Sequence, residues 1–76
     1  MAKKFTPLQT AALKDLIQFG ELSRNTAHDR FTPGSHAGQT IASLYDKGLI
    51  DVIDWSYYGY PLKIMLNEKT PSSDEL

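Results

Sequence analysis

The segment from Gln39 to Ile50 constrains the fold most, because it contains both the end of a helix and the start of a strand. Its apolar residues follow the i, i+4, i+7, i+8 spacing of one buried helix face: Ala37, Ile41, Leu44 and Tyr45. The opposite face is predicted to carry His36, Gln39, Thr40, Ser43 and Lys47. Gly48 stands where a helix closes with a left-handed residue, so the chain is expected to leave the helix there and return to the core.

Length and composition limit the chain to one small domain. It has 76 residues, no cysteine and a net charge of -1. A core of this size is only marginally stable, so homodimerisation is a reasonable expectation, and neither disulfides nor thiolate metal sites can help. We expect a cytoplasmic protein without a signal peptide or membrane contact. The charge argues against a strongly cationic nucleic-acid binder.

Local signals predict three helices. Thr6, Pro7 and Gln9 form a capping-box pattern that opens the first helix, which Gly20 ends. A second, shorter helix is expected from Ser23 to about Asp29 or Arg30, with Phe31 filling the core behind it. The turn at residues 32–35 contains Pro33-Gly34 and precedes a third helix with Ser35 as its N-cap.

After Gly48 the apolar period changes from helical to two. Residues 49–55 and 62–67 are therefore predicted to form a β-hairpin whose turn contains Tyr57, Tyr58 and Tyr60. Residues 1–5 are interpreted as an N-terminal arm, residues 6–69 as the folded domain, and residues 70–76 as a disordered acidic tail.

This order of elements resembles a winged helix-turn-helix domain of the MarR-like kind. The strongest local match is residues 41–50, which are similar to the end of the family's recognition helix, its glycine cap and the entry to its wing. Residues 66–70 resemble the strand that leaves the wing. The resemblance implies an α+β, mainly α fold with three helices and a C-terminal two-stranded β-hairpin wing. The short chain also suits a phage or mobile-element protein.

The resemblance implies duplex DNA binding by a small transcriptional regulator or DNA-processing accessory. The third helix would enter the major groove, where Gln39 can bond an adenine edge. Lysines and arginines beside it, including Lys3 and Lys4, would bind phosphates. The alternative is that these bases only keep the surface soluble, with Asp29 pairing to a neighbouring arginine. The predicted DNA-binding residues are Arg24, Arg30, Ser35, His36, Gln39, Thr40, Ser43, Lys47 and Lys63. The alternative is an ordinary solvated helix face, since this face has no arginine.

The predicted wing favours a different function. An aromatic tip flanked by Asp51 and Asp54 suits protein contact, because tyrosine and tryptophan are enriched at interface hot spots. The candidate protein-interface residues are Trp55, Tyr57, Tyr58 and Tyr60. Completion of the core, contact of a tyrosine with a DNA phosphate, and dimerisation are further interpretations of the same residues. The rival function is therefore a protein-interaction module, such as an inhibitor or adaptor of a nucleic-acid machine.

No pattern in the sequence indicates catalysis. The histidines His28 and His36 have no metal-ligand spacing, and phosphate-binding and nucleophile-elbow motifs are absent. We expect a non-enzyme without a metal or cofactor.

Overall fold

The structure, a computed structural model, describes residues 5–76, and these residues combine two α-helices with a five-stranded antiparallel sheet. The elements are α1 (Pro7–Phe19), β1 (Glu21–Asn25), β2 (Arg30–Thr32), β3 (His36–Ala37), α2 (Gly38–Asp46), β4 (Ile50–Trp55), β5 (Pro61–Leu66) and a 3-10 helix (Ser73–Glu75). The strand order is β3-β2-β1-β5-β4, so the β4–β5 hairpin forms one end of the sheet.

The core lies between the two helices and one face of the sheet. Alternation along the strands sends Leu22, Phe31 and Ile64 toward the helices, and all three are buried. The helices contribute Ala12, Leu13, Leu16, Ile41 and Leu44. The opposite face of the sheet is polar, as is usual for an antiparallel sheet covered on one side.

The first helix begins as predicted. The Thr6 hydroxyl accepts from the Gln9 backbone N–H, and the Gln9 side chain accepts from the Thr6 N–H, which completes the capping box. Gly20 has a φ of 83° and donates to the Leu16 carbonyl, which closes the helix. The buried stripe lies at Gln9, Ala12, Leu13 and Leu16, whereas Leu8 and Phe19 are exposed.

The prediction of a three-helix winged helix-turn-helix domain is wrong. The segment from Ser23 to Arg30, expected to be the second helix, forms β1, a turn and the start of β2. The turn has a local cause: the Asn25 side chain accepts from the Ala27 N–H, and the Asn25 carbonyl accepts from Asp29. Asp29 has a φ of 57°, which breaks a helix. With β1 between β2 and β5, the sheet replaces the helix-turn-helix unit.

The helix expected third in the chain is α2, and it starts later than predicted. His36–Ala37 is a short strand paired with β2, so Ser35 is not an N-cap, and Ala37 precedes the helix without a side-chain cap. The C-terminal end is as predicted. Gly48 has a φ of 76° and bonds the Tyr45 carbonyl, while the Leu49 N–H bonds the Leu44 carbonyl. This pair of bonds is a Schellman motif, and it directs the chain into β4.

The C-terminal hairpin is confirmed within one residue at its ends. Residues 1–4 of the predicted arm, with Lys3 and Lys4, lie outside the described residues, and Phe5 is buried in the core. Residues 70–76, expected to be disordered, bury Pro71 and pack Leu76 against the core. Ser72 and Glu75 form a capping box at the 3-10 helix.

Candidate functional site

The residues predicted to contact DNA are divided among several surfaces. Gln39 and Lys47 are exposed at the start and just past the end of α2, and Thr40 is half-buried beside Gln39. Ser35 is exposed in the turn before β3, and Arg30 is exposed on β2. The register of the sheet places Arg30 and Lys63 on the face without helices, away from α2.

His36 does not point outward as predicted, because it is an interior link between α1 and the sheet. Its side chain is 10% exposed, and Nε2 lies 2.6 Å from the Asp15 Oδ2. Gly34 lies against the same pair, with a φ of 87°, and a Cβ there would collide with both side chains. The imidazole therefore joins α1 to the end of the β2–β3 turn.

Ser43 also points inward, toward α1. Its hydroxyl donates to the Thr40 carbonyl at 2.7 Å and accepts from the Gln9 Nε2 at 3.0 Å. Gln9 thus caps its own helix with its side-chain oxygen and bridges to α2 with its nitrogen. The expectation that Ser43 would lie on the outer face of the helix is wrong, because this bridge needs it between the helices.

Arg24 is held by two partners of its own chain. It pairs with Asp29 across the β1–β2 turn, and its guanidinium carbon lies 4.1 Å from the centre of the Tyr60 ring. The second contact is a cation–π interaction. Only 20% of the Arg24 side chain is exposed, so the arginine braces the β4–β5 hairpin against the β1–β2 turn.

The helix-free face of the sheet carries both signs of charge. Lys63 lies 3.8 Å from Glu21 and stands opposite Asp54 in the β4–β5 register. Glu21 faces Met65, and Met65 faces Asp51 on the other side. A phosphate approaching Lys63 would therefore meet three carboxylates on the same face.

The tip of the β4–β5 hairpin, residues 55–60, presents its aromatic rings to solvent. Tyr57 is 96% exposed and Tyr58 is 82% exposed, with ring centres 5.3 Å apart in edge-to-face geometry. Tyr58 stacks on Tyr60 at 6.5 Å. Core completion is thus not the role of Tyr57 or Tyr58. Tyr60 is partly covered by Arg24.

The hairpin tip is ordered by its own hydrogen bonds. The Ser56 N–H donates to the Tyr60 carbonyl, and the Ser56 hydroxyl accepts from the Tyr60 N–H at 3.0 Å. Gly59, with a φ of 89°, donates to the Ser56 carbonyl. A loop closed in this way fixes the backbone from which the aromatic side chains project.

A groove beside the start of β4 was not foreseen from the sequence. It has a volume of about 750 Å³ and is lined by Tyr45, Asp46, Gly48, Ile50, Asp51, Asn67, Glu68 and Lys69. Three carboxylates and one ammonium group line it, so it is acidic. Its residues come from three separate segments, and no motif marks them. At its side, Tyr45 meets Trp55 edge to face, with 5.5 Å between ring centres.

Within residues 5–76, metal-binding clusters and membrane-spanning helices are absent. This range contains no group of three or more histidine, cysteine or acidic residues placed to hold a metal ion. Neither helix described by the structure has the length and hydropathy needed to cross a membrane.

Comparison of the chain with protein-family models, with curated proteins and with solved structures finds no match.

Proposed function

We propose that this protein is a protein-interaction module whose contact surface is centred on the hairpin tip. The observation that carries the proposal is the exposure of Tyr57 and Tyr58 on a loop closed by hydrogen bonds. Rigid tyrosines offer large contact area at low entropic cost, because few side-chain torsions must be fixed on binding.

The distribution of charge supports a protein partner over duplex DNA. Arg24, His36 and Ser43 are engaged within the protein, and Lys63 lies among carboxylates. The outer face of α2 retains Gln39 but also presents Asp46, which would repel phosphates. These contacts leave the surface of α2 with little positive charge for binding the phosphates of duplex DNA.

The test is selection of a random peptide library on the immobilised protein. We expect peptides that are enriched on the native chain and lost on a Tyr57→Ser, Tyr58→Ser double variant. Phe19→Ser is the matched control, because Phe19 is an exposed aromatic residue at the end of α1, outside the hairpin. Enrichment that survives the double variant, or is lost equally in Phe19→Ser, would contradict the proposal.

A titration with duplex DNA tests the DNA-binding hypothesis. Mixed-sequence duplex is titrated at low and moderate salt, and we expect no saturable binding at tens of micromolar protein. Binding that falls steeply with salt and disappears in Gln39→Ala would instead support the DNA-binding reading of the sequence.

A further inference from the structure

We infer that the free edge of β4 accepts an extended, basic polypeptide segment of the partner as an additional strand. This inference rests on the proposed function and names the chemistry of the partner. It places the backbone of that segment along β4 and its cationic side chains in the acidic groove.

The first observation is the sheet topology. In the order β3-β2-β1-β5-β4, the two edges are β3, with two residues, and β4, with six. A two-residue edge offers almost no backbone to a partner, whereas six residues are the length of an ordinary strand. Within residues 5–76, nothing pairs with the outer edge of β4. Strand addition at such an edge is an established mode of peptide recognition.

The second observation is the apolar lining along this edge. Ile53 is 47% exposed and Trp55 is 46% exposed, and Tyr45 supports Trp55 from α2. Lysine and arginine side chains pack their aliphatic stems on such surfaces, and aromatic faces attract their charged ends. The groove at the other end of β4 provides room for further side chains.

The third observation is the negative charge beside β4, which indicates that the partner segment is positively charged. Asp46, Asp51 and Glu68 line the groove against a single Lys69, and Asp54, which stands opposite Lys63, follows further along β4. Asp51 accepts one bond from the Asn67 side chain, at 3.1 Å. Asp46 and Glu68 have no ion-pair partner within the described residues. A basic segment complements this edge, and an acidic one is repelled.

The same charges argue against a second copy of this chain as the occupant. An antiparallel β4–β4 pair would place the aspartates of both copies, Asp51 and Asp54, along one seam. Like charges across a strand pair are destabilising. Irregular pairing between Val52 and Trp55 also bends this edge, so regular pairing with any added strand is limited to residues 50–52. The regular part at residues 50–52 remains open to a short segment.

The test uses a synthetic eight-residue peptide that alternates lysine with valine, and an acidic analogue with glutamate in place of lysine. Affinities are measured by fluorescence anisotropy with the intact chain. We expect the basic peptide to bind, the acidic one not to bind, and the Asp51→Asn, Asp54→Asn double variant to bind roughly fivefold to tenfold more weakly. Lys14→Gln, on the exposed surface of α1, is the control variant for a charge change elsewhere.

Backbone pairing is tested separately from charge. N-methylation of alternate peptide residues removes the strand's donors on one edge, and N-methylation in the other phase removes the other set. We expect one phase to abolish binding and the other to preserve it. Amide hydrogen exchange should slow at residues 50–52, the regular part of the β4 edge, when the unmethylated peptide is bound.

Several outcomes would overturn the inference: equal binding of the acidic and basic peptides, equal tolerance of both methylation phases, or exchange protection outside β4. A concentration-dependent dimer that Asp51→Asn, Asp54→Asn strengthens and the basic peptide does not dissociate would assign the edge to a second copy. If peptides from the random library still need Tyr57 and Tyr58 but ignore Asp51 and Asp54, the inference fails while the proposed function stands. If no peptide depends on the hairpin tip, the proposed function itself fails.

Discussion

The helix-covered part of the sheet and the hairpin tip differ in how their side chains are engaged. Beneath the helices, polar side chains bond to other side chains of the same protein: Gln9 to Ser43, and His36 to Asp15. At the tip, aromatic groups that could fill a core are left in water, including Tyr57 and Tyr58. Burial of apolar area is the main stabilising term in a domain of this size, so leaving it exposed forgoes stability. The difference separates residues that hold the fold from residues available to a partner.

Removal of a core side chain should have the largest effect on stability. Leu13 is fully buried on α1, in the cluster formed by the helices and the sheet. Leu13→Ala is expected to lower the free energy of unfolding by about 2–5 kcal/mol, through lost burial and a remaining cavity. Urea unfolding followed by circular dichroism measures the change. Leu8→Ala, at an exposed position of the same helix, should change stability little, and equal effects of the two would contradict the assigned helix face.

Disruption of the His36–Asp15 link should have the next largest effect on stability. His36→Ala leaves the Asp15 carboxylate without its partner beneath the β2–β3 turn, at a cost of about 1–3 kcal/mol. Gly34→Ala should act through the same pair, because its Cβ would collide with both side chains.

Gly59→Ala is the matched control for Gly34→Ala in thermal unfolding. Both glycines have a positive φ, but nothing lies within 4 Å of a Cβ at Gly59. Gly59→Ala therefore adds only backbone strain, and Gly34→Ala adds a steric clash. If the two variants melt at the same temperature, the His36–Asp15 link contributes nothing beyond the glycine conformation.

A smaller effect is expected at the end of α2. Gly48→Ala places a side chain at a left-handed φ of 76° in open space, so only backbone strain is added, about 1–2 kcal/mol. Gly38→Ala is the control, since Gly38 begins α2 without a positive φ and also faces open space. It should leave stability unchanged or raise it slightly. A destabilised Gly38→Ala with an unaffected Gly48→Ala would show that the Schellman closure is misassigned.

The sequence was informative where a local signal determined local structure. The Thr6–Gln9 capping box, the closures at Gly20 and Gly48, and the hairpin of β4 and β5 are all decided by neighbouring residues, and they are confirmed. The helix predicted for residues 23–30 is wrong, because the apolar pattern there is too short to distinguish a helix from a hairpin. Pairing of β1 with β5, about forty residues away in the chain, decides the strand there.

The candidate site can be predicted only in part from the sequence, because some of its residues are positioned by tertiary contacts. Exposure of Tyr57 and Tyr58 follows from their place in a turn, which the sequence reveals. The positions of His36, in β3, and Ser43, in α2, depend on Asp15 and Gln9 of α1. The helical period alone sets them on an outer face, and only the tertiary contact shows that they turn inward.

The smallest stability effect is expected at the hairpin tip, where the effect on binding should be largest. Tyr57 makes its ring contact only with Tyr58, and both lie outside the core. The Tyr57→Ser, Tyr58→Ser double variant should therefore change the free energy of unfolding by no more than about 0.5 kcal/mol. Urea unfolding of this variant, beside its peptide selection, decides between two explanations of lost binding. Lost binding with unchanged unfolding assigns the tyrosines to the contact surface. Lost stability comparable to that of Leu13→Ala would make the tip part of the fold, and the contrast between the two regions would no longer hold.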